Sequence, residues 1–236
     1  SSFNDFQVKE EERVNLLATN GRGGSGKNWL GDVFDVNLTY SYGFNFPNID
    51  QASNVLIKSS LFGLTANPNS ASFSMSVAGL GSVVIPIPGI TPSSHSSFAL
   101  QRFGNLSFAP SSSTFNVVLN YSKPTGIKSV GYLDYLEVNC RRELRMAGNQ
   151  MDFRDVNSVG VGNVSKFRVQ DAASIEEVWD VTNPWEATNV VFSRTGGVLE
   201  FDQPTDSLKT FIAYKATGFF SAQFEMKVEN QNLHGV

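Results

Sequence analysis

Apolar and polar residues alternate with a period of two along much of this chain, most cleanly in Ser72-Phe73-Ser74-Met75-Ser76-Val77. Successive side chains of a strand point to opposite faces, so Phe73, Met75 and Val77 are predicted to face a core and the serines to face solvent. Runs rich in β-branched and aromatic residues predict further strands over 33–42, 55–64, 82–87, 114–121, 132–140, 164–169, 175–181, 190–192, 209–215 and 223–228. Turn clusters such as Ala66-Asn67-Pro68-Asn69-Ser70, Ala109-Pro110-Ser111, Lys123-Pro124-Thr125-Gly126 and Arg194-Thr195-Gly196-Gly197 separate them. Helix-forming composition is confined to 172–177 and to 9–17, which holds Glu10, Glu11 and Glu12, and neither carries a full amphipathic repeat. The pattern therefore predicts an all-β chain folded as an antiparallel β-sandwich, jelly-roll-like in type.

The sandwich is expected over 31–228, with 1–30 packing along its edge and 229–236 forming a linker into an absent domain. A division near Ala147-Gly148-Asn149 into two β domains is the alternative. Opening on Ser1-Ser2 and ending at Gln231-Asn232-Leu233-His234-Gly235-Val236, the chain reads as a segment of a longer precursor. At 236 residues, with 41% hydrophobic and 17% charged residues, it departs from the compositions of disordered, coiled-coil and collagen-like chains. The net charge is −4, and no cluster of Lys and Arg exceeds the Arg141-Arg142 pair, so nucleic acid is not an expected partner. No stretch reaches the ~18 consecutive apolar residues of a membrane-spanning helix.

Candidate chemistry is sparse. Gly21-Arg22-Gly23-Gly24-Ser25-Gly26-Lys27-Asn28 fits a phosphate-binding loop until its last place, where Asn28 replaces the Ser or Thr that holds Mg²⁺. A strand-like run follows instead of a helix, so a glycine-rich surface loop is the expectation. Nucleophilic catalysis needs a base, and the imidazoles are His95 and His234 alone. Cys140 alternates with Leu136 and Val138 and is read as a small core residue; Tyr132 and Asp134 are assigned to the same strand face. No cofactor is expected. A structural Ca²⁺ would draw on Asp152, Asp155 and Asn157, or on Asp202 and Asp206, but neither set has the spacing of a calcium loop. Of Trp29, Trp179 and Trp185, Trp179 is assigned to the core, and Trp185, after Asn183-Pro184, is the candidate ligand contact. The sequons at Asn37, Asn105, Asn120 and Asn163 are ascribed to the abundance of Asn, Ser and Thr.

Three stretches taken together resemble a known family: Asn28-Trp29-Leu30-Gly31-Asp32-Val33-Phe34, the run from Gly131-Tyr132-Leu133-Asp134-Tyr135-Leu136-Glu137-Val138 through Asn139-Cys140-Arg141-Arg142-Glu143-Leu144, and Val178-Trp179-Asp180-Val181-Thr182-Asn183-Pro184. Their order and spacing resemble the region preceding the peptidase domain in type IX secretion system sortases of the gingipain-type cysteine peptidase family. Asn230-Gln231-Asn232-Leu233-His234-Gly235 is similar to the junction where that peptidase domain begins. The resemblance implies a jelly-roll-like sandwich on an exported protein of the Bacteroidetes, at the outer membrane or cell surface. Its partners would be its own C-terminal peptidase domain and the secreted substrates or secretion-system subunits that the sortase meets. None of the three stretches is catalytic, so this segment is expected to be a non-catalytic accessory domain of an enzyme. A carbohydrate-binding sandwich module of an exported protein, using Trp185, is the competing expectation.

Overall fold

The computed structural model describes residues 1–16, 28–91 and 98–228. The glycine-rich stretch before Asn28, both histidines and the expected linker 229–236 lie outside the described residues. In chain order the strands are β1 (Ser2–Glu10), β2 (Val33–Phe34), β3 (Thr39–Asn45), β4 (Val55–Thr65), β5 (Ala71–Val77), β6 (Gly81–Ile87), β7 (Leu100–Phe108) and β8 (Thr114–Ser122). They continue with β9 (Ser129–Glu143), β10 (Gln150–Arg154), β11 (Val164–Val169), β12 (Ile175–Asp180), β13 (Thr188–Asn189), β14 (Ser193–Thr195), β15 (Val198–Pro204) and β16 (Thr210–Lys215). The short 3₁₀ turns Val156–Ser158 and Ala216–Gly218 accompany them among the described residues. The fold is an all-β, antiparallel sandwich.

One long sheet, in the order β13-β12-β16-β10-β1-β9-β4-β7 with β2 alongside β9, runs through the molecule. A four-stranded sheet, β3-β8-β5-β6, covers its β9-β4-β7 end, and a three-stranded sheet, β11-β15-β14, covers its β10-β16-β12 end. Two apolar cores result. The first holds Phe34, Phe73, Met75, Val117, Leu119, Leu136 and Val138, all without solvent exposure. The second is built on Phe153, Phe167, Phe201 and Phe211, with Val169, Val178 and Ala213 around them. Strand β9 passes from one to the other, giving Cys140 to the first, and Leu144 just beyond its end belongs to the second. A smaller cluster of Leu16, Leu30, Phe62, Val130 and Tyr132 covers the opposite face of the long sheet.

In the first sandwich Gly63 of β4 lies opposite Gly131 of β9. A Cβ on Gly131 would sit 2.5 Å from the Phe73 ring, and one on Gly63 would sit 2.4 Å from Ile87. Glycine at both places lets these large side chains of the facing sheet rest directly on the backbone.

A β-bulge explains where the sequence pattern misassigns faces. Ser60 pairs with Tyr135 but Leu61 pairs with Leu133, so Asp134 is an extra residue on β9 and the side-chain alternation changes phase there. Leu136, Val138 and Cys140 face the first core as expected, together with Leu133. Tyr132 points to the other face, with Leu30 and Phe62. The same bulge marks a change of partner: β1 follows β9 as far as Glu10 opposite Tyr135, and β2 takes over with Val33 opposite Tyr132.

Other expectations need correction. Residues 1–30 do not simply line an edge, because β1 is an interior strand paired with β9 along its whole length. Its mixed alternation buries Phe3 alone, and the glutamates that follow carry helical propensity, so the pattern hid it. Strands β7, β10, β13, β14 and β15 lie outside the predicted runs; each is short, charged or interrupted by glycine. Residues 173–174 form a turn and 175–177 are already the start of β12, so the helix-forming composition of 172–177 is overridden there, and 190–192 lie between β13 and β14. Residues 223–228 are exposed and unpaired among the described residues.

Candidate functional site

The outer face of the β10-β16-β12 sheet, away from the second core, carries an apolar groove of about 380 Å³. Trp179 of β12 and Ile212 and Tyr214 of β16 form its floor, and Phe219 and Phe220 form one wall beside Val181 and Ala187. Phe219 packs edge-to-face on Tyr214, with ring centroids 4.9 Å apart. Trp179 is thus half-buried on the outer face and not in the core, and the cause is again a bulge. Ile175 pairs with Lys215 and Glu177 with Tyr214, so Glu176 is the extra residue, and it is Val178 that faces inward.

A carboxylate fixes the floor. Glu177 Oε2 accepts hydrogen bonds from the Tyr214 hydroxyl at 2.6 Å, the Trp179 indole at 2.7 Å and the Asn189 amide at 3.1 Å. The indole also reaches the Tyr214 oxygen, at 2.6 Å. Hydrogen bonds from Tyr214 first, and then from Trp179, hold the Glu177 carboxyl below its ordinary range. Desolvation, with the carboxylate beside it, pushes the Tyr214 phenol up, so it remains a neutral donor at neutral pH. A carboxyl depressed in the folded state adds stability that is fully present above its unfolded value, near pH 4.3, and lost as the pH falls through the folded value. We therefore expect the urea midpoint to drop on acidification below about pH 4.3, with a red shift in tryptophan emission; Glu177→Gln should remove that component of the pH dependence.

The loop beyond β12 is built as its sequence suggests. Asp180 Oδ1 accepts from the Thr182 amide at 2.9 Å, and Asn183 Oδ1 accepts from the Trp185 amide at 3.2 Å. These side chains replace ladder partners where Pro184 prevents the strand from continuing. Trp185 stands 92% exposed at the tip. Trp29, the remaining tryptophan, is 46% exposed beside the smaller apolar cluster.

Of the residues considered for calcium, Asp155, Asp202 and Asp206 have protein partners. Asp155 Oδ1 accepts from Arg141 at 2.9 Å and from the Asn157 amide at 3.1 Å, which caps a 3₁₀ turn. Asp206 accepts from the Gly162 amide at 2.6 Å, and Asp202 pairs with Lys166 at 3.2 Å. Asp152 lies on β10 opposite Ile212. Among the described residues no group of three or more His, Cys, Asp or Glu is placed to hold a metal ion. A second cavity, of about 280 Å³, lies at the β9 bulge among Glu10, Glu11, Asp32, Tyr42 and Asp134. There the Tyr42 hydroxyl donates to Asp32 at 2.7 Å, and burial, aided by that carboxylate, pushes the phenol up.

Cys140 is 5% exposed and opposite Asp5 on β1. Burial, with Asp5 adding to it, pushes its thiol up to about 12, so almost no thiolate exists at neutral pH. Cys140→Ala is expected to cost about 1 to 2 kcal/mol through a small cavity. Iodoacetamide should modify the native thiol at least about tenfold more slowly than the urea-unfolded one; a native rate above the unfolded rate would identify a reactive thiol instead.

No family profile matches the chain. None of the curated proteins matches it either. Among solved structures, dimeric latent PorU from Porphyromonas gingivalis superposes on all of it, with a TM-score of 0.76 at 20% identity. The chain has the fold of that part of PorU and covers 22% of the PorU chain. The CBM36-1 domain of a multidomain xylanase from the hindgut metagenome of Trinervitermes trinervoides gives a TM-score of 0.32 at 15% identity, over 57% of this chain and 96% of that one. A Paenibacillus sp. cycloisomaltooligosaccharide glucanotransferase complexed with cycloisomaltoheptaose gives 0.28 at 10% identity, over 89% of this chain and 45% of that one. At those last two scores no shared fold is implied.

The groove itself was not legible in the sequence. Tyr214, Phe219 and Glu177 come from separate segments, and only the alternation of Glu177 with Trp179 hinted that they share a face.

Proposed function

We propose that the chain is a non-catalytic accessory domain of a type IX secretion system sortase of the gingipain-type cysteine peptidase family. In this reading it belongs to an exported protein of the outer membrane and cell surface. There it positions secreted substrates or secretion-system subunits for a peptidase domain in the same protein. The observation that carries the reading is the superposition of the entire chain on part of PorU. The three stretches that resemble the sortase family add support, because they occupy structurally central places. Gly131 to Leu144 covers most of β9, and 28–34 adjoins it: the Gly31 amide donates to the Leu133 carbonyl at 2.7 Å, and the Leu133 amide donates to Asp32 at 3.0 Å. The stretch 178–184 supplies Trp179 and Val181 to the groove. A groove so dominated by apolar side chains suits a protein surface better than the hydroxyl-rich surface of a sugar. Among the described residues no helix is long and apolar enough to cross a membrane.

The test combines binding and turnover. Calorimetry should detect association of the chain with a purified PorU peptidase domain or with the C-terminal sorting domain of a type IX cargo, and Trp179→Ala should weaken it. The chain alone should cleave neither fluorogenic peptides nor the sorting domain. Binding to a defined sugar on a glycan array, lost on Trp185→Ala, with no association to either protein, would replace this reading with the carbohydrate-binding one.

A further inference from the structure

On the outer face of the long sheet, Arg154 at the end of β10 is held in place without being neutralised. Its guanidinium lies 4.9 Å from the centre of the Phe6 ring, and among the described residues its side chain joins no ion pair and donates no hydrogen bond. The arginines nearby on β9 are committed: Arg141 pairs with Asp155 at 2.9 Å and Arg142 with Asp5 at 2.7 Å. A planar cation stacked on an aromatic ring keeps its orientation while its N–H edge stays open, and that edge matches a carboxylate through two parallel hydrogen bonds. Arg154 and Phe6 line a depression of about 150 Å³ together with Asn54, Leu56, Asn139 and Arg141; Asp5, which also borders it, is engaged by Arg142. Sites for free small molecules start at ~300 Å³, so this one suits a single side chain.

The alternation along β10 ties the depression to the aromatic groove. Met151 and Phe153 point into the second core, so Gln150, Asp152 and Arg154 share the outer face. Gln150 lines the groove, and Arg154 stands four residues further along the strand, about 13 Å away at ~3.3 Å per residue. An extended segment laid on the sheet covers that distance in four residues, and its residues i and i+4 point to the same side. Asp152 lies between the two places on the same face. A carboxylate only two residues from the apolar anchor would therefore meet a like charge, which selects the longer spacing.

We propose that this face receives an extended segment of a partner protein, in which an aromatic side chain enters the groove and an acidic side chain four residues away is taken by Arg154. The inference rests on the reading of the groove as a protein-binding surface. The probes are acetylated and amidated peptides, Phe-Ser-Thr-Ser-Asp and its reversal Asp-Ser-Thr-Ser-Phe, because either chain direction satisfies the spacing. Each is compared with the same peptide carrying Asn for Asp, and Phe-Ser-Asp-Ser-Thr tests the shorter spacing. In calorimetric titrations of the full chain at low salt, the Asp peptide of at least one direction should bind about fivefold or more tightly than its Asn counterpart. The ratio should shrink as NaCl is added. Arg154→Gln should bring it to about one while leaving the Kd of the Asn peptide within about twofold, a sign that the groove is intact, and Arg154→Lys should keep part of the preference. Equal binding of the Asp and Asn peptides, a preference that survives Arg154→Gln, an equal preference at the shorter spacing, or no binding of any peptide would each overturn the proposal. The sortase reading is judged separately, by association with the peptidase or sorting domain and its weakening in Trp179→Ala.

Discussion

Phe153→Ala is expected to lower the unfolding free energy by about 3 to 5 kcal/mol, a large part of the roughly 5 to 15 kcal/mol that holds a typical domain. Phe153 is 1% exposed and central to the second core. Its ring centroid lies 5.4 Å from that of Phe211, 6.3 Å from those of Phe3 and Phe167, and 6.4 Å from that of Phe201. These rings come from β16, β1, β11 and β15, so one truncation removes contacts between both sheets of that sandwich. Strand β10 has only five residues, and Met151 and Phe153 are its inward side chains, leaving little beside the cavity that could move to fill it. Urea unfolding should show a lower midpoint at nearly constant slope. Native-state hydrogen exchange should quicken most in β10, β11, β15 and β16. A loss below about 1 kcal/mol would mean that these rings do not pack as a continuous centre.

The first core was legible where its strands keep one phase. In β5 every second residue is apolar, and Phe73, Met75 and Val77 are all buried, while Ser72, Ser74 and Ser76 are partly exposed. The pattern failed where the backbone inserts a residue. Bulges at Asp134 and Glu176 each shift the alternation by one, which turns Tyr132 away from the first core and Trp179 away from the second. A bulge is set by pairing with a distant strand, and nothing in the local spacing announces it. The shorter strands escaped for a different reason. Gln150-Met151-Asp152-Phe153-Arg154 offers two apolar residues among polar ones, and only its position between β16 and β1 makes it a strand. The groove follows the same logic. Trp179 was visible as an aromatic residue in a distinctive run, yet its use depends on the bulge that exposes it and on Phe219, which folds back over Tyr214.

Arg142→Met should destabilise the chain by about 3 to 5 kcal/mol although it keeps an unbranched apolar stem, because it breaks a buried ion pair and leaves one charge behind. Arg142 is 7% exposed. Its Nη1 meets Asp5 Oδ2 at 2.7 Å, with side-chain exposures of 8% and 17%, too low for solvent to screen the pair as it would at a surface. Its Nε donates to the Pro47 carbonyl at 2.6 Å, and its guanidinium lies 5.1 Å from the centre of the Phe3 ring. These partners belong to different parts of the fold: Pro47 follows β3, a strand of the first sandwich, whereas Phe3 belongs to the second core. A single fork-shaped cation thus satisfies a carbonyl and a carboxylate where β9 crosses between the cores, and methionine can satisfy neither. Arg142→Lys keeps the charge but not the fork, so an intermediate loss is expected. Asp5→Asn in the Arg142→Met background should cost far less than it does in the wild type, because the charge it removes has already lost its partner. If the double variant instead lost the sum of the two single effects, the pair would not be coupled, and the role assigned to Arg142 as the polar joint between the two cores would be wrong.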